Sequence, residues 1–293
     1  MKAKVRKGKK QKYFFEKIMG AFLIVYCIIL MVPYLVALNA SFRDWGSFTD
    51  NMFALSTPTL ANFKKVLVEF NYPVTMLDGT PGAFFFDGLL TNTLLYSVGC
   101  ALSATACPCI VGYCIAQFPN KFSKFIYTLI YVLLALPIVG NVVSEIQVSQ
   151  MVGAYNSIPG MWFLKFSFLG FYTLILRATF KTIPKDYVEA AYMDGATNIT
   201  IFTRIMLPLA KNTLFVIFIL RFVAFWSEYT TPMYFLPSYP TLSLTLLNFS
   251  SLSGTTETMQ LAACILLALP TVVLYACFTE KFTTNLQMGG IKG

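Results

Sequence analysis

Histidine is absent from all 293 residues. Without an imidazole the chain has no Ser-His or Cys-His nucleophile, no histidine proton relay and none of the usual histidine-bearing metal sites. Charge is scarce too: 12% of residues are Asp, Glu, Lys or Arg, against roughly 25% in an ordinary soluble domain. No G-x-x-x-x-G-K-[ST] run occurs, so the phosphate-cradling loop that would let the chain bind ATP in the usual way is missing. What is abundant is apolar surface. Hydrophobic residues make up 57% of the chain, with 28 Phe, 16 Tyr and 3 Trp, more than a soluble protein of this size can hide from water. The solvent that suits this composition is lipid, and catalysis is not expected. Cys27, Cys100, Cys107, Cys109, Cys114, Cys264 and Cys277 all lie in apolar stretches and read as small buried hydrophobes. Cys107-Pro108-Cys109 lacks the spacing of a zinc or thioredoxin pair, and no metal site or disulfide framework is expected.

A membrane crossing needs about 20 mostly apolar residues, so the gaps between charges measure spans. Residues 18–42, 88–120, 125–144 and 258–279 are uncharged. Two further stretches are apolar but enclose Lys165 and Arg177, or Lys211, Arg221 and Glu228. The predicted fold is all-α and integral to the membrane, with six transmembrane helices over 18–40, 89–117, 122–146, 156–180, 207–231 and 257–280. Residues 89–280 are expected to form one transmembrane domain. The tail 1–17 holds eight of the 22 basic residues, which puts it in the cytoplasm by the positive-inside rule. Six crossings return the tail 281–293 to the same side and place 181–206 there also. The segments 41–88 and 232–256 are then extracytoplasmic, the second possessing Pro232, Pro237 and Pro240 and reading as an outer or re-entrant loop. In 41–88, Ser56-Thr57-Pro58-Thr59 announces a short helix through Leu67, and the Pro- and Gly-rich stretch 71–88 reads as loop. The net charge of +9 is a topology signal and an attraction to anionic lipid; no nucleic-acid partner is expected. The apolar run from Ile18 to Leu38 exceeds a signal-peptide core and reads as the first anchor.

The segment from Lys181 to Pro208 is legible residue by residue. Pro184 suits a first helical turn, Asp186 and Glu189 lie early where the helix dipole favours acids, and Gly195 suits a left-handed stop. A second helix should begin near Thr197 or Asn198, with Asn198 a candidate N-cap. Tyr187, Ala190, Ala191 and Asp194 fall at i, i+3, i+4 and i+7, a face centred on two small residues that lets another surface come close. Tyr187 and Met193 add apolar edges, and Glu189 offers a carboxylate to a basic group. Such a helix suits docking better than catalysis.

The pattern Glu189-Ala190-Ala191, three residues, Gly195, nine residues, then Ile205-Met206-Leu207-Pro208 resembles the EAA motif of permease subunits of bacterial ATP-binding-cassette (ABC) importers. Thr57-Pro58-Thr59-Leu60-Ala61-Asn62-Phe63, Leu90-Thr91-Asn92-Thr93-Leu94, Trp226-Ser227-Glu228-Tyr229 and the terminal Gly289-Gly290-Ile291-Lys292-Gly293 are similar to landmarks of the maltose-type carbohydrate permeases. The sequence departs at Ser227, where that family more often has Asn, and near Asn156. The resemblance implies a multi-pass bacterial cell-membrane protein that translocates a sugar or oligosaccharide, its 181–206 loop a coupling helix between the fourth and fifth spans, seated on a cytoplasmic ATPase. ATP and Mg would be bound by that ATPase, with no cofactor in this chain. Two ATPase subunits, a second permease subunit forming a heterodimer and an extracytoplasmic solute-binding protein are the implied partners. The implied coupling residues are Tyr187, Glu189, Ala190, Ala191, Asp194, Gly195, Ile205, Leu207 and Pro208.

Arg221 and Glu228, seven residues apart, fall two turns along one helical face. Two roles stay open for them. They line a translocation route, with Phe225, Trp226 or Tyr229 packing on a sugar ring, or they form an interhelical ion pair amid interfacial aromatics. Lys165 and Arg177 are expected to reach a helix partner or the interface. An importer for a non-sugar solute is the alternative within the class. A cation-coupled secondary transporter would want carboxylates in several spans, where Glu228 stands alone.

Overall fold

The computed structural model describes residues 2–288 apart from 53, 55, 56, 76–79, 137–139, 252 and 253, and gives the backbone alone for 2–14 and 279–288. Ser56 of the expected cap and the terminal Gly289-Gly290-Ile291-Lys292-Gly293 lie outside the described residues. The chain divides into two compact units, Met1–Glu69 with Phe249–Leu266, and Phe70–Asn248 with Leu267–Gly293.

In the first unit, α1 (Lys2–Ser41) carries the basic tail and the first predicted span as one continuous helix. None of its most apolar window is covered by protein, as befits a helix whose solvent is lipid. Beyond it the chain folds around Arg43, which is 2% exposed. Its guanidinium donates to the carbonyls of Ser47, Asn51 (2.8 Å) and Met52 (3.2 Å), closing α2 (Trp45–Asp50) over it. Asp44 caps α2 by accepting from the Gly46 N–H. Asn62, on α3 (Ala61–Glu69), donates to the carbonyls of Ser41 and Arg43 at 3.0 and 2.7 Å. A cation that reads from the sequence as one more outer charge is thus a buried organiser, its donors met by backbone oxygens.

The second unit opens with a correction. Residues 71–88 do not form a simple loop: β1 (Tyr72–Thr75) pairs antiparallel with β2 (Pro81–Phe84), Tyr72 opposite Phe84 and Thr75 opposite Pro81. Two short strands offer unpaired edges on which a proline without an N–H is tolerated, and Tyr72, Val74 and Phe84 are good strand formers. The helix α4 (Phe86–Gln117) is the hub of this unit. Its buried residues Leu89, Thr93, Tyr96, Cys100, Ala104 and Pro108 recur at three and four, and small residues let neighbours come close. A Cβ on Gly112 would lie 3.0 Å from the Arg177 N, and one on Gly99 would lie 2.0 Å from the Trp162 indole nitrogen.

Around α4 come α5 (Lys121–Ala135), α6 (Val142–Met151), α7 (Ile158–Leu164) and α8 (Phe171–Thr182), then α9 (Asp186–Met193), α10 (Asn198–Ile201), a π-helical turn (Phe202–Met206) and α11 (Leu207–Ser227). The short α12 (Thr230–Phe235) and α13 (Leu242–Phe249) precede α14 (Glu257–Met288). Of these, α7, α8 and α11 pack directly on α4.

Among the described residues, four helices are long and apolar enough to cross a membrane: Phe15–Ser41, Phe86–Gln117, Asn198–Ser227 and Glu257–Phe278. The third and fourth predicted spans are instead each divided. Residues 122–146 fall on α5 and α6, and 156–180 on α7 and α8. The 15 residues of α5 extend about 22 Å, short of a hydrocarbon core of about 30 Å. Gly140, at φ +81°, lies in the first break, and 165–170 form the second. Counting uncharged residues measures composition and is blind to these breaks. A second correction concerns cysteine. All seven are free, but Cys27, Cys114, Cys264 and Cys277 are exposed. A thiol in an apolar stretch need not be buried in protein when the solvent is itself apolar.

Within this unit, residues 232–248 of the expected outer loop pack back onto α4. Asn92 donates to the Pro240 carbonyl at 3.1 Å, and the Leu242 N–H donates to the Thr93 hydroxyl at 2.8 Å. Asn156, at φ +53°, grips the same segment. Its N–H donates to the Phe235 carbonyl, its side-chain amide donates to the Ser238 hydroxyl, and its side-chain oxygen accepts from the Ser238 N–H.

Candidate functional site

Two groups of residues stand out, an elbow over 183–210 and a cluster around Arg221 and Glu228 at the far end of α11. In the elbow, α9 ends on Gly195 at φ +75°, where glycine alone is free of strain. The Gly195 N–H donates to the Tyr192 carbonyl (3.0 Å) and the Ala196 N–H to the Ala191 carbonyl (2.9 Å). This reciprocal pair is a Schellman closure. The next helix is capped by Thr197, which accepts from the Thr200 N–H at 3.3 Å. Asn198, the expected cap, instead accepts from the Tyr192 hydroxyl and ties the two short helices together. The π turn lies just before Pro208, with the Leu207 N–H reaching the Phe202 carbonyl. A proline ring in a regular helix collides with the carbonyl four residues back; the widened turn relieves that conflict and leaves Asn198–Ser227 as one helical run.

The elbow is anchored from within. Ala191, Ile201, Met206 and Ala210 are buried with Leu176, Phe180 and Tyr113, and Val188, Ile205 and Leu207 pack against them. Tyr113 meets Phe180 and Phe202 with ring centroids 5.5 and 4.7 Å apart. The face expected from helical spacing is therefore split. Ala191 turns inward, while Tyr187, Glu189, Ala190, Asp194 and Pro208 are exposed. Met193, 89% exposed, and Ile199, 76% exposed, extend this outward apolar face; Ile199 was missed because it lies on the next helix.

In the second group, Glu228 stands just past the end of α11 in an extended conformation. Its carboxylate accepts from the Tyr96 hydroxyl (3.0 Å) and from Thr231, and its carbonyl accepts from Ser243 (2.6 Å). Arg221 stacks on Tyr172, its guanidinium carbon 4.3 Å from the ring centroid. The two charges make no ion pair with each other, because the helix ends before Glu228 and the two-turn spacing no longer applies. Each is met by a tyrosine from another helix. Trp226 is buried and donates to the Leu267 carbonyl at 2.9 Å, so its indole serves helix packing. Phe225 is buried against Tyr96, and Tyr229 is exposed. Arg177 lies 3.8 Å from the Tyr127 ring centroid.

Two adjoining cavities open here. The larger, about 410 Å³, is lined by Asn141, Ser144, Glu145, Lys165 and Thr231 among others. The smaller, about 130 Å³, is lined by Lys165, Ser167, Tyr172, Arg221 and Phe225 among others. Lys165 belongs to both, a role its sequence neighbourhood does not signal. Among the described residues no cluster of three metal-ligating side chains occurs.

Residues 109–282, more than half of the chain, match the family described as the binding-protein-dependent transport system inner membrane component. The chain is 26% identical over 279 residues to the maltodextrin transport system permease protein MdxG of Bacillus subtilis, covering 93% of this chain and 94% of that one. It is 27% identical over 220 residues to the diacetylchitobiose uptake system permease protein NgcG of Streptomyces coelicolor, covering 75% of this chain and 68% of the relative. Its fold is similar to a solved bacterial ABC transporter involved in the import of the acidic polysaccharide alginate, with a TM-score of 0.76 and 16% identity over 91% of this chain and 96% of that one. The chain therefore belongs to the family of inner-membrane components of binding-protein-dependent transport systems.

Proposed function

We propose that this chain is the permease subunit of an ABC importer for a sugar or oligosaccharide, with the 183–208 elbow as its docking element for a cytoplasmic ATPase. The observation that carries the reading is the construction of the elbow. Its inner face is locked into the bundle while Tyr187, Glu189, Ala190, Met193 and Asp194 stay exposed. Apolar side chains held outward on a rigid element, beside a carboxylate, suit a groove with a basic group in it. The sugar permeases among its relatives favour a carbohydrate over another solute.

In this reading the chain crosses the membrane six times with both termini in the cytoplasm. The third and fourth crossings are the broken pairs α5 with α6 and α7 with α8, and discontinuous helices near a substrate route are a recurring transporter device. Energy comes from two ATPase subunits that bind ATP and Mg. A second permease subunit completes the route, and a solute-binding protein delivers the substrate from outside. Closure of the ATPases moves the elbow as a rigid body and switches the route from inward-open to outward-open.

Gly195→Val tests this directly. A β-branched residue at φ +75° distorts the elbow at a cost of about 1–3 kcal/mol without touching the membrane core. The expected outcome in proteoliposomes is normal insertion with loss of substrate-stimulated ATP hydrolysis and uptake. Undiminished coupling would refute the assignment of the elbow.

A further inference from the structure

Two cations face a cavity without a carboxylate. Lys165 and Arg221 line the smaller cavity, at the break between α7 and α8, and none of its described lining residues is acidic. The carboxylates of the same region lie outside the smaller cavity, Glu145 lining the larger one alongside Lys165. Glu228 accepts from Tyr96 and Thr231, and Glu145 accepts from Asn141. Arg221 is met on its flat face by Tyr172, and among the described residues its buried Nε has no hydrogen-bond acceptor. Stacking on a ring offsets part of the desolvation of a cation but leaves its in-plane N–H donors unused. The first turn of α8 opens on the same cavity from Gly170, with no side-chain cap, and adds potential of the same sign. Through Lys165 this cavity adjoins the larger one, where Asn141, Ser144 and Thr231 present amide and hydroxyl groups.

We propose that the paired cavities bind an anionic saccharide, its carboxylate or phosphate held between Lys165 and Arg221 and its neutral rings along the larger cavity. The inference rests on the importer reading and names its substrate class. A planar or tetrahedral oxyanion supplies the bidentate acceptor that Arg221 lacks. A wholly neutral sugar brings no charged acceptor to the in-plane donors of Arg221 in the smaller cavity, which holds no carboxylate among its described lining residues.

The test uses the assembled transporter in nanodiscs, this chain with its partner permease, ATPases and binding protein, titrated with trigalacturonate, glucose 6-phosphate and maltotriose. At least one of the two anions should bind tenfold or more tightly than maltotriose, and which one does separates carboxylate from phosphate. Arg221→Gln and Lys165→Gln should each narrow that preference about tenfold, and Arg221→Lys should restore part of it. Maltotriose binding as tight as both anions overturns the proposal, as does a preference that neither substitution moves, which would belong to another subunit. An anionic lipid seen by native mass spectrometry in the wild-type complex and lost in Arg221→Gln also overturns it. If Arg221→Gln fails to assemble, Lys165→Gln at the end of α7 carries the test. ATP-dependent uptake of maltotriose alone would leave the importer reading standing while this proposal falls; no ATP-dependent uptake of any of the three counts against that reading itself.

Discussion

The elbow and the cavity region sit on the same helix, α11, and are held in opposite ways. At its start, α11 joins an apolar cluster around Ile201, Met206 and Ala210, sealed by backbone hydrogen bonds that run no further than a few residues. Near its end it is held by side-chain contacts from distant helices, Tyr96 to Glu228, Tyr172 to Arg221 and Trp226 to Leu267, around open space. Packed apolar surface resists deformation in every direction. A few directional polar contacts can be exchanged for others at little net change. A part that transmits force is served by the first construction and a part that alternates between conformations by the second.

Four substitutions probe that contrast. Ile201→Ala empties a fully buried site in the elbow, and a loss of about 2–5 kcal/mol is expected from the transfer and cavity terms. Hydrogen exchange over 186–206 should quicken sharply while exchange in α4 is preserved; uniform loosening would show that the elbow is not a separate rigid part. Next, Tyr96→Phe removes one charge-assisted hydrogen bond to Glu228 and Glu228→Gln weakens two, from Tyr96 and Thr231, each worth about 1.5–3 kcal/mol. Their effects on thermal stability should be clearly non-additive in a double-mutant cycle, and additivity would remove Glu228 as the tie between α4 and the 229–243 segment. The smallest effect belongs to Thr197→Ala, which deletes the N-cap of α10 at about 1 kcal/mol. Its signature is faster exchange at Thr200 with little change in overall stability, because the apolar anchor behind the cap remains.

The local parts of both regions were readable from residues alone. Gly195 as a left-handed stop, a helix start near Thr197 or Asn198 and the EAA spacing all depend on interactions within a few positions, though the cap is Thr197 and not the expected Asn198. What the sequence hid depends on partners far along the chain. Ala191 and Ala190 are neighbours of the same type, and only the position of Tyr113 and Phe180 decides that one turns inward. Arg221 and Glu228 looked like partners because helical spacing was extended one residue past the true end at Ser227. The ends of α5 at Ala135 and of α7 at Leu164 escaped a count of charges, since an interrupted helix can be as apolar as a continuous one. The hairpin over 72–84 was masked by Pro73 and Pro81, residues more often taken as loop markers. Arg43 gave no sign of burial, because the carbonyls that receive it carry no side-chain signature.

The π turn at Phe202–Met206 makes the elbow a phase-setting joint. One extra residue is accommodated within a continuous helix, so everything on its N-terminal side is rotated about the axis relative to the rest of α11. Deleting a single residue there would give a smooth α-helix and turn α9 by about 100°, since a regular helix has 3.6 residues per turn. α9 would then be swept away from the apolar cluster of Tyr113, Leu176 and Phe180 against which Val188 and Ala191 now pack. A one-residue deletion in this turn is therefore expected to be far more damaging than a conservative substitution at any of its five positions, which ties the length of the segment between Gly195 and Pro208 to function independently of its composition.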